Sequence, residues 1–270
     1  MFKINRMKMF KEMISGCSFN GFEGKPEMHL LVAAPGGLPV LLKKSYENQS
    51  AAAKPHNGSK STKLNICVNS TDLDYLMPFM KKGYGGVRCN LHEIGNKDGK
   101  YDIIVVYDKI ARNLNHPLMM PSALKSIQTS LEDNGMLVIA EIALDYRPFL
   151  ESIVSTWKKI GKNQFTGQDF GIRRIPLISE WKNCLEETGF SIKEIHTGFR
   201  FRITASDWLS RLGQDAENAD MISTLNKFIA NLSTKHITAL ASKIKADRNI
   251  ASNDSRATFT VPAIVIVAEK

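Results

Sequence analysis

The sequence predicts an α/β fold: a largely parallel sheet flanked by helices, finished by an antiparallel C-terminal strand with a helical insertion before it. Three observations predict it. Two aliphatic runs, Ile103 to Val106 and Met136 to Ile139, are bridged by a stretch with helical spacing. Runs of this kind suit strands buried on both faces of a parallel sheet. The bridge is long enough for a right-handed crossover, so the three pieces make one βαβ unit. Near the C-terminus, PAIVIVA (262–268) supplies a last strand that pairs antiparallel with the alternating stretch Phe190 to Thr197.

In chain order, residues 1–28 read as an amphipathic N-terminal helix, MFKINRMKMFKEMISG, and a Gly-rich turn, SFNGFEGKPEM. Residues 29–270 then form the α/β domain. His29 to Ala34 is a first strand, with Gly36-Gly37 as the turn behind it. Ser45 to Thr62 is low in apolar residues and has no periodicity, which predicts a loop. Leu64, Ile66 and Val68 alternate as a strand. Asp72 stands as a cap before a short helix to Lys82, with Leu73, Leu76, Met77 and Met80 on its apolar side and Pro78 kinking or shortening it. Val87 to Leu91 reads as a short strand.

In the central unit, Pro121 starts the helix carrying Leu124, Ile127 and Leu131, and Asp133-Asn134-Gly135 closes it with residues able to take positive φ. Phe149, Ile153, Val154 and Trp157 share a helix face, followed by a loop or lid to Ile178. Ser179-Glu180-Trp181 opens another helix, which Gly189 ends. Residues 204–250 are Ala-, Ser- and Lys-rich with apolar stripes at Leu209, Leu212, Met221, Leu225, Phe228, Ile229 and Leu232. They form the helical insertion.

Composition narrows the function classes. With 270 residues and 43% hydrophobic content, the chain can bury one good core. Polar or charged residues interrupt every apolar run before it reaches membrane-spanning length. The basic N-terminus lacks the apolar core of a signal peptide, which points to a cytoplasmic location. Cys17, Cys67, Cys89 and Cys184 show neither CxxC pairing nor zinc-ligand spacing, and read as thiols in a reducing compartment. His29, His92, His116, His196 and His236 show no metal spacing either. The formal charge of +9 is dispersed among acids rather than gathered in a block. It argues against a nucleic-acid partner and for a solvated basic surface.

Ligands in open α/β sheets bind outside the carboxyl ends of the strands. A nucleotide-type cofactor there needs a Gly-rich turn after the first strand, an acid after the second and a polar loop after the third. The candidates are Gly36 and Gly37 for the turn, Ser70 and Asp72 at the ribose position, and Glu93 in the third loop. Gly36-Gly37 also reads as an ordinary turn, and Asp72 as a plain helix cap. At the end of the central strand, Tyr107, Asp108 and Arg112 face a ligand on this reading, and Asp108 reads equally as a loop acid with no role. Glu141, Asp145 and Tyr146 end the next strand and shape a substrate mouth.

A parallel sheet with an antiparallel last strand is the class I methyltransferase-like (Rossmann-like) arrangement, here by analogy of fold. Particular stretches go further. ICVNSTDLDYLMPFMKKGYGGVRCNLHEIGNKDGKYDIIVVYDKIARNLNHP, then LKSIQTSL, ALDYRPFLE and ISEWKNCLEETGF, together with the upstream SFNGFEGKPEM, resemble the DREV family, the methyltransferase-like protein 9 group. The resemblance covers most of residues 10–200. It implies an S-adenosylmethionine-dependent methyltransferase acting on a protein or peptide substrate at a histidine ring nitrogen. Asp108 and Arg112 then become the catalytic candidates, and Gly36, Gly37, Ser70, Asp72, Glu93 and Tyr107 the cofactor-binding ones.

The sequence also departs from that pattern. The family's Asp-Leu-Gly-x-Gly signature is absent, and HLLVAAPGG stands in its place or the loop at 45–62 has replaced it. The ribose acid corresponds to Ser70. Two positions facing the substrate imidazole in the family fall on Asp108 and Ala111, with Arg112 kept. These departures support an alternative, a catalytically inactive pseudo-methyltransferase serving as a binding or scaffold module.

Overall fold

The two aliphatic runs pair in parallel at the centre of the molecule. In a computed structural model, Tyr101–Tyr107 (β4) aligns Ile103 to Val106 with Met136 to Ile139 of Leu131–Ile142 (β5). Every residue of β4 is buried, as expected of a strand covered on both faces. The structure describes residues 2–17, 19, 25–34, 36–52, 62–96, 99–112, 114, 116, 118–144, 174–213 and 258–270.

Five further strands complete the sheet: Glu27–Ala33 (β1), Lys63–Asn69 (β2), Gly85–Val87 (β3), Ser191–Thr204 (β6) and Thr258–Glu269 (β7). Their spatial order is β3-β2-β1-β4-β5-β7-β6. The strands from β3 to β5 run parallel, and β7 runs antiparallel to both β5 and β6. The chain winds outward from β1 to β3 and then returns to β4 on β1's other side. The topological switch point therefore lies between β1 and β4.

Among the described residues six α-helices surround the sheet: Phe2–Gly16 (α1), Leu38–Ala52 (α2), Leu73–Met80 (α3), Met119–Ser130 (α4), Ile178–Glu187 (α5) and Ala205–Arg211 (α6). A 3-10 turn spans Leu91–Asn96. Helix α1 belongs to the core: Met9 and Met13 are fully buried. A Cβ on its Gly16 would sit 2.6 Å from Val267 Cγ2 and 3.6 Å from Val138 Cγ1, so the helix backbone lies directly on β7 and β5. Helix α5 anchors through Trp181, whose Nε1 donates to the Ile142 carbonyl at 3.0 Å.

Several boundaries differ from the sequence reading. The stretch from Ser45 is not all loop, since α2 continues to Ala52. Its buried residues, Leu38, Pro39 and Leu42, sit in the first half, and the polar second half is its solvent-facing end. The strand expected at 87–91 lies earlier, at 85–87, and 91–96 is the 3-10 turn. Helix α4 begins at Met119 rather than at Pro121. Residues 131–135, read as helix closure, already belong to β5, with Asn134 at φ 62° and a register shift against β4. Strand β6 continues to Thr204, and α6 opens the expected insertion. The helix face at 149–157 and the stripe from Met221 to Leu232 lie outside the described residues.

Candidate functional site

The carboxyl ends of the parallel strands form two neighbouring groups of residues. The first surrounds the turn after β1. Gly36 adopts φ 70°, a left-handed conformation that glycine takes at no steric cost. Among the described residues, none beyond its chain neighbours comes within 4 Å of where a Cβ on Gly37 would stand. One strand away, Asn69 donates from Nδ2 to the Val87 and Cys89 carbonyls at 3.2 and 3.1 Å, tying β2 to the end of β3. The Ser70 hydroxyl accepts from the Asp72 N–H at 3.1 Å. Asp72 caps α3, with Oδ1 accepting from the Asp74 and Tyr75 N–H groups at 2.9 and 3.4 Å, and it stays exposed. Tyr75 reaches back from α3 and donates its hydroxyl to the Ala34 carbonyl at 2.5 Å.

Glu93, in the 3-10 turn, accepts from Asn90 through both the backbone N–H (3.0 Å) and Nδ2 (3.2 Å). Its side chain remains 48% exposed. Both acids thus have a local backbone role and still face solvent.

The second group follows β4 and β5. Tyr107 is enclosed by aromatic rings, edge-on to Phe10 of α1 at 5.4 Å and tilted against Phe201 of β6 at 4.9 Å. Asp108 takes φ 54°, uncommon for a residue with a side chain. Its Oδ2 accepts from Arg211 Nη2, at the end of α6. Asp108 Oδ1 and Arg211 Nε and Nη1 are buried with no hydrogen-bond partner among the described residues. Arg112 is exposed in the loop that follows.

Glu141 corrects the sequence reading. It is 0% exposed and lines no mouth. Its Oε1 accepts from the N–H groups of Lys109 (2.8 Å) and Ile110 (2.7 Å), and Oε2 from that of Ala111 (3.4 Å). A β5 side chain thus binds the loop after β4 by its backbone. Burial raises the Glu141 carboxyl to about 7, Asp108 adds to the shift, and the Ile110 and Lys109 N–H groups and Arg211 oppose it. Burial also lowers the neighbouring Lys109 amine, with Arg112 acting in the same direction. Asp145 and Tyr146 lie outside the described residues.

The structure thus gathers Gly36, Gly37, Ser70 and Asp72 around adjacent strand ends, and Tyr107, Asp108 and Arg112 at the next. Sequence reasoning missed Tyr75, Asn69 and Arg211. Arg211 left one faint signal: it lies between Trp208, Leu209 and Leu212 on an apolar helix, where a charge demands a partner. Tyr101-Asp102, quoted for the family resemblance, sits at the other, amino end of the parallel strands. There Asp102 accepts from the His29 N–H at 2.8 Å and pairs with Lys25 at 2.5 Å, a structural clamp between β4 and β1. Among the described residues no three His, Cys, Asp or Glu side chains gather as a metal site, and no helix is long and apolar enough to cross a membrane.

By sequence the chain matches no protein-family model and no curated protein. By structure it is similar to class I methyltransferases. A protein of Bacillus halodurans C-125 provisionally assigned as a methyltransferase aligns at TM-score 0.57 and 18% identity, over 96% of this chain and 99% of its own. The YcgJ protein of Bacillus subtilis aligns at 0.56 and 15%, over 98% of each chain. A protein of Galdieria sulphuraria provisionally assigned as a sarcosine dimethylglycine methyltransferase aligns at 0.51 and 10%, over 98% of this chain and 86% of its own. The chain has the class I methyltransferase-like (Rossmann-like) fold.

Proposed function

We propose that the chain is a divergent S-adenosylmethionine-dependent methyltransferase of DREV type, acting on a protein or peptide substrate at a histidine ring nitrogen. One observation carries the cofactor half of this reading: the turn after β1 has Gly36 in the left-handed region and open space over Gly37, beside the topological switch point. A ligand can approach that backbone closely. The residues present fit the cofactor, with the ribose contact moved from the strand end to Asp72. Asp72 uses Oδ1 for the cap and is exposed, which leaves Oδ2 to accept from a ribose diol. Glu93 serves the adenine side from the next loop. When bound, the cofactor supplies an electrophilic methyl group. The chain's own part is to hold a neutral imidazole in the reactive tautomer beside Asp108 and Arg112, a matter of positioning.

A second reading, an inactive scaffold, draws support from a different observation. No carboxylate ends β2, and the side chains there, Asn69 and Ser70, already bond to Val87, Cys89 and Asp72. Titration calorimetry with S-adenosylmethionine and S-adenosylhomocysteine separates the two. Micromolar binding, weakened by Asp72→Ser or Glu93→Ala, supports the enzyme and justifies screening histidine-rich peptides for methyl transfer. No heat at millimolar cofactor, from folded protein, leaves the scaffold.

A further inference from the structure

The Asp108–Arg211 pair carries more polar capacity than the fold consumes. Arg211 is 4% exposed, yet among the described residues only Nη2 has a partner, Asp108 Oδ2. Nε and Nη1 are left as buried donors, and Asp108 Oδ1 as a buried acceptor beside them. Buried donors and acceptors in native proteins are paired with protein, water or ligand, so three orphans in one ion pair call for an occupant. The pair is rigidly placed. The Thr204 hydroxyl caps α6 by accepting from the Asp207 N–H at 3.0 Å, and Trp208 and Leu209 bury the helix. The Arg211 carbonyl accepts from the Leu114 N–H at 3.0 Å, joining the helix to the post-β4 loop. Asp108 is 20% exposed, so the pair lies just beneath the surface.

We propose that Asp108 and Arg211 together form a recognition site for an uncharged group presenting a hydrogen-bond acceptor and donor side by side, the chemistry of an amide. The acceptor takes the Arg211 Nε–H or Nη1–H, and the donor satisfies Asp108 Oδ1. The charge count selects this class. The guanidinium and the Asp108 carboxylate already balance, so an anion or a cation would add an uncompensated charge in a buried place. Of the neighbouring charges, Glu141 and Lys109 offset one another, and Arg112 stands exposed. An amide comes from a peptide backbone or from an Asn or Gln side chain. As the place where a peptide substrate is held beside the post-β4 loop, the site rests on the methyltransferase reading; its chemistry does not.

The test is NMR of the Arg211 Nε–H in full-length protein, titrated with acetamide and N-methylacetamide, and with acetate and methylammonium as charged controls. The expected result is a saturable shift with the amides and none with the ions. Acetamide, a primary amide, represents the side-chain source and N-methylacetamide the backbone source, and their relative affinity tells the two apart. Arg211→Lys, which keeps the charge and loses the fork, is followed at the Leu114 N–H, which donates to the residue-211 carbonyl, and weakens amide binding about tenfold, as losing one charged hydrogen bond would. A shift produced by acetate rather than by amides overturns the proposal. A protected Nε–H that no probe moves means an ordered water only, and overturns it too. The titration uses no cofactor, so its outcome and that of the calorimetry are independent. Should the Lys variant fail to fold, the wild-type titration still decides.

Discussion

The Glu141 carboxylate, at the end of β5, accepts from the Ile110 N–H at 2.7 Å and holds the loop after β4 by its backbone. Replacing Glu141 with Ala leaves two buried N–H groups, of Ile110 and Ala111, and the part-buried one of Lys109 unpaired, each buried one costing about 1–3 kcal/mol. We expect Glu141→Ala to lose about 3 kcal/mol or more in urea unfolding, and amide exchange at 109–111 to accelerate. Unchanged exchange there would refute the anchoring role.

The same carboxyl gives stability a pH dependence. Its folded value of about 7 exceeds the ordinary 4.5, chiefly through burial. Between those values the folded protein keeps a proton that the unfolded chain releases. Stability from this group is therefore full below about 4.5 and lost as pH rises through about 7. Urea midpoints measured from pH 5 to about 8 should fall in the wild type, and this part of the slope should vanish in Glu141→Gln.

Gly36 and Gly37 should respond differently to alanine. At Gly36, φ 70° makes a side chain cost about 1 kcal/mol. Gly37→Ala meets no atom within 4 Å and should change stability by less than about 0.5 kcal/mol. If the turn receives the cofactor, the added methyl group at 37 will still weaken S-adenosylhomocysteine binding in calorimetry. Equal binding by wild type and Gly37→Ala would place the ligand elsewhere.

Asp72 has two roles that one pair of variants separates. Asp72→Ala removes the α3 cap and costs about 1 kcal/mol. Asp72→Ser keeps a capping oxygen and removes the carboxylate, so thermal stability is retained while cofactor affinity falls. A Ser variant with wild-type affinity would reduce Asp72 to a cap.

Gly16→Ala tests how α1 sits on the sheet. The new methyl would lie 2.6 Å from Val267 Cγ2, and valine in a strand has little rotamer freedom to yield. Helix propensity favours alanine by about 1 kcal/mol, but overpacking costs about 1–3 kcal/mol. We expect net destabilisation by thermal unfolding, with Val267→Ala restoring part of it.

The sequence by itself determined most of the strands and their succession along the chain. Aliphatic runs at 103–106, 136–139 and 262–268 and the alternation at 64–68 are local patterns, and burial on a pleated sheet demands them wherever the strand ends up. Asp72 as a cap and Gly189 as a helix stop were equally legible, because both act within a few residues. The second half of α2 was not, since a solvent-facing helix end needs no apolar residues to announce it. Only the tertiary structure decided the site. Asp108 meets Arg211 across 103 residues, Glu141 turns inward to the loop of the neighbouring strand, and Phe10 and Phe201 close over Tyr107. Such contacts follow from sheet order and helix placement, which no local periodicity encodes. A charge's partner is fixed only when the chain has brought both ends to the same strand edge.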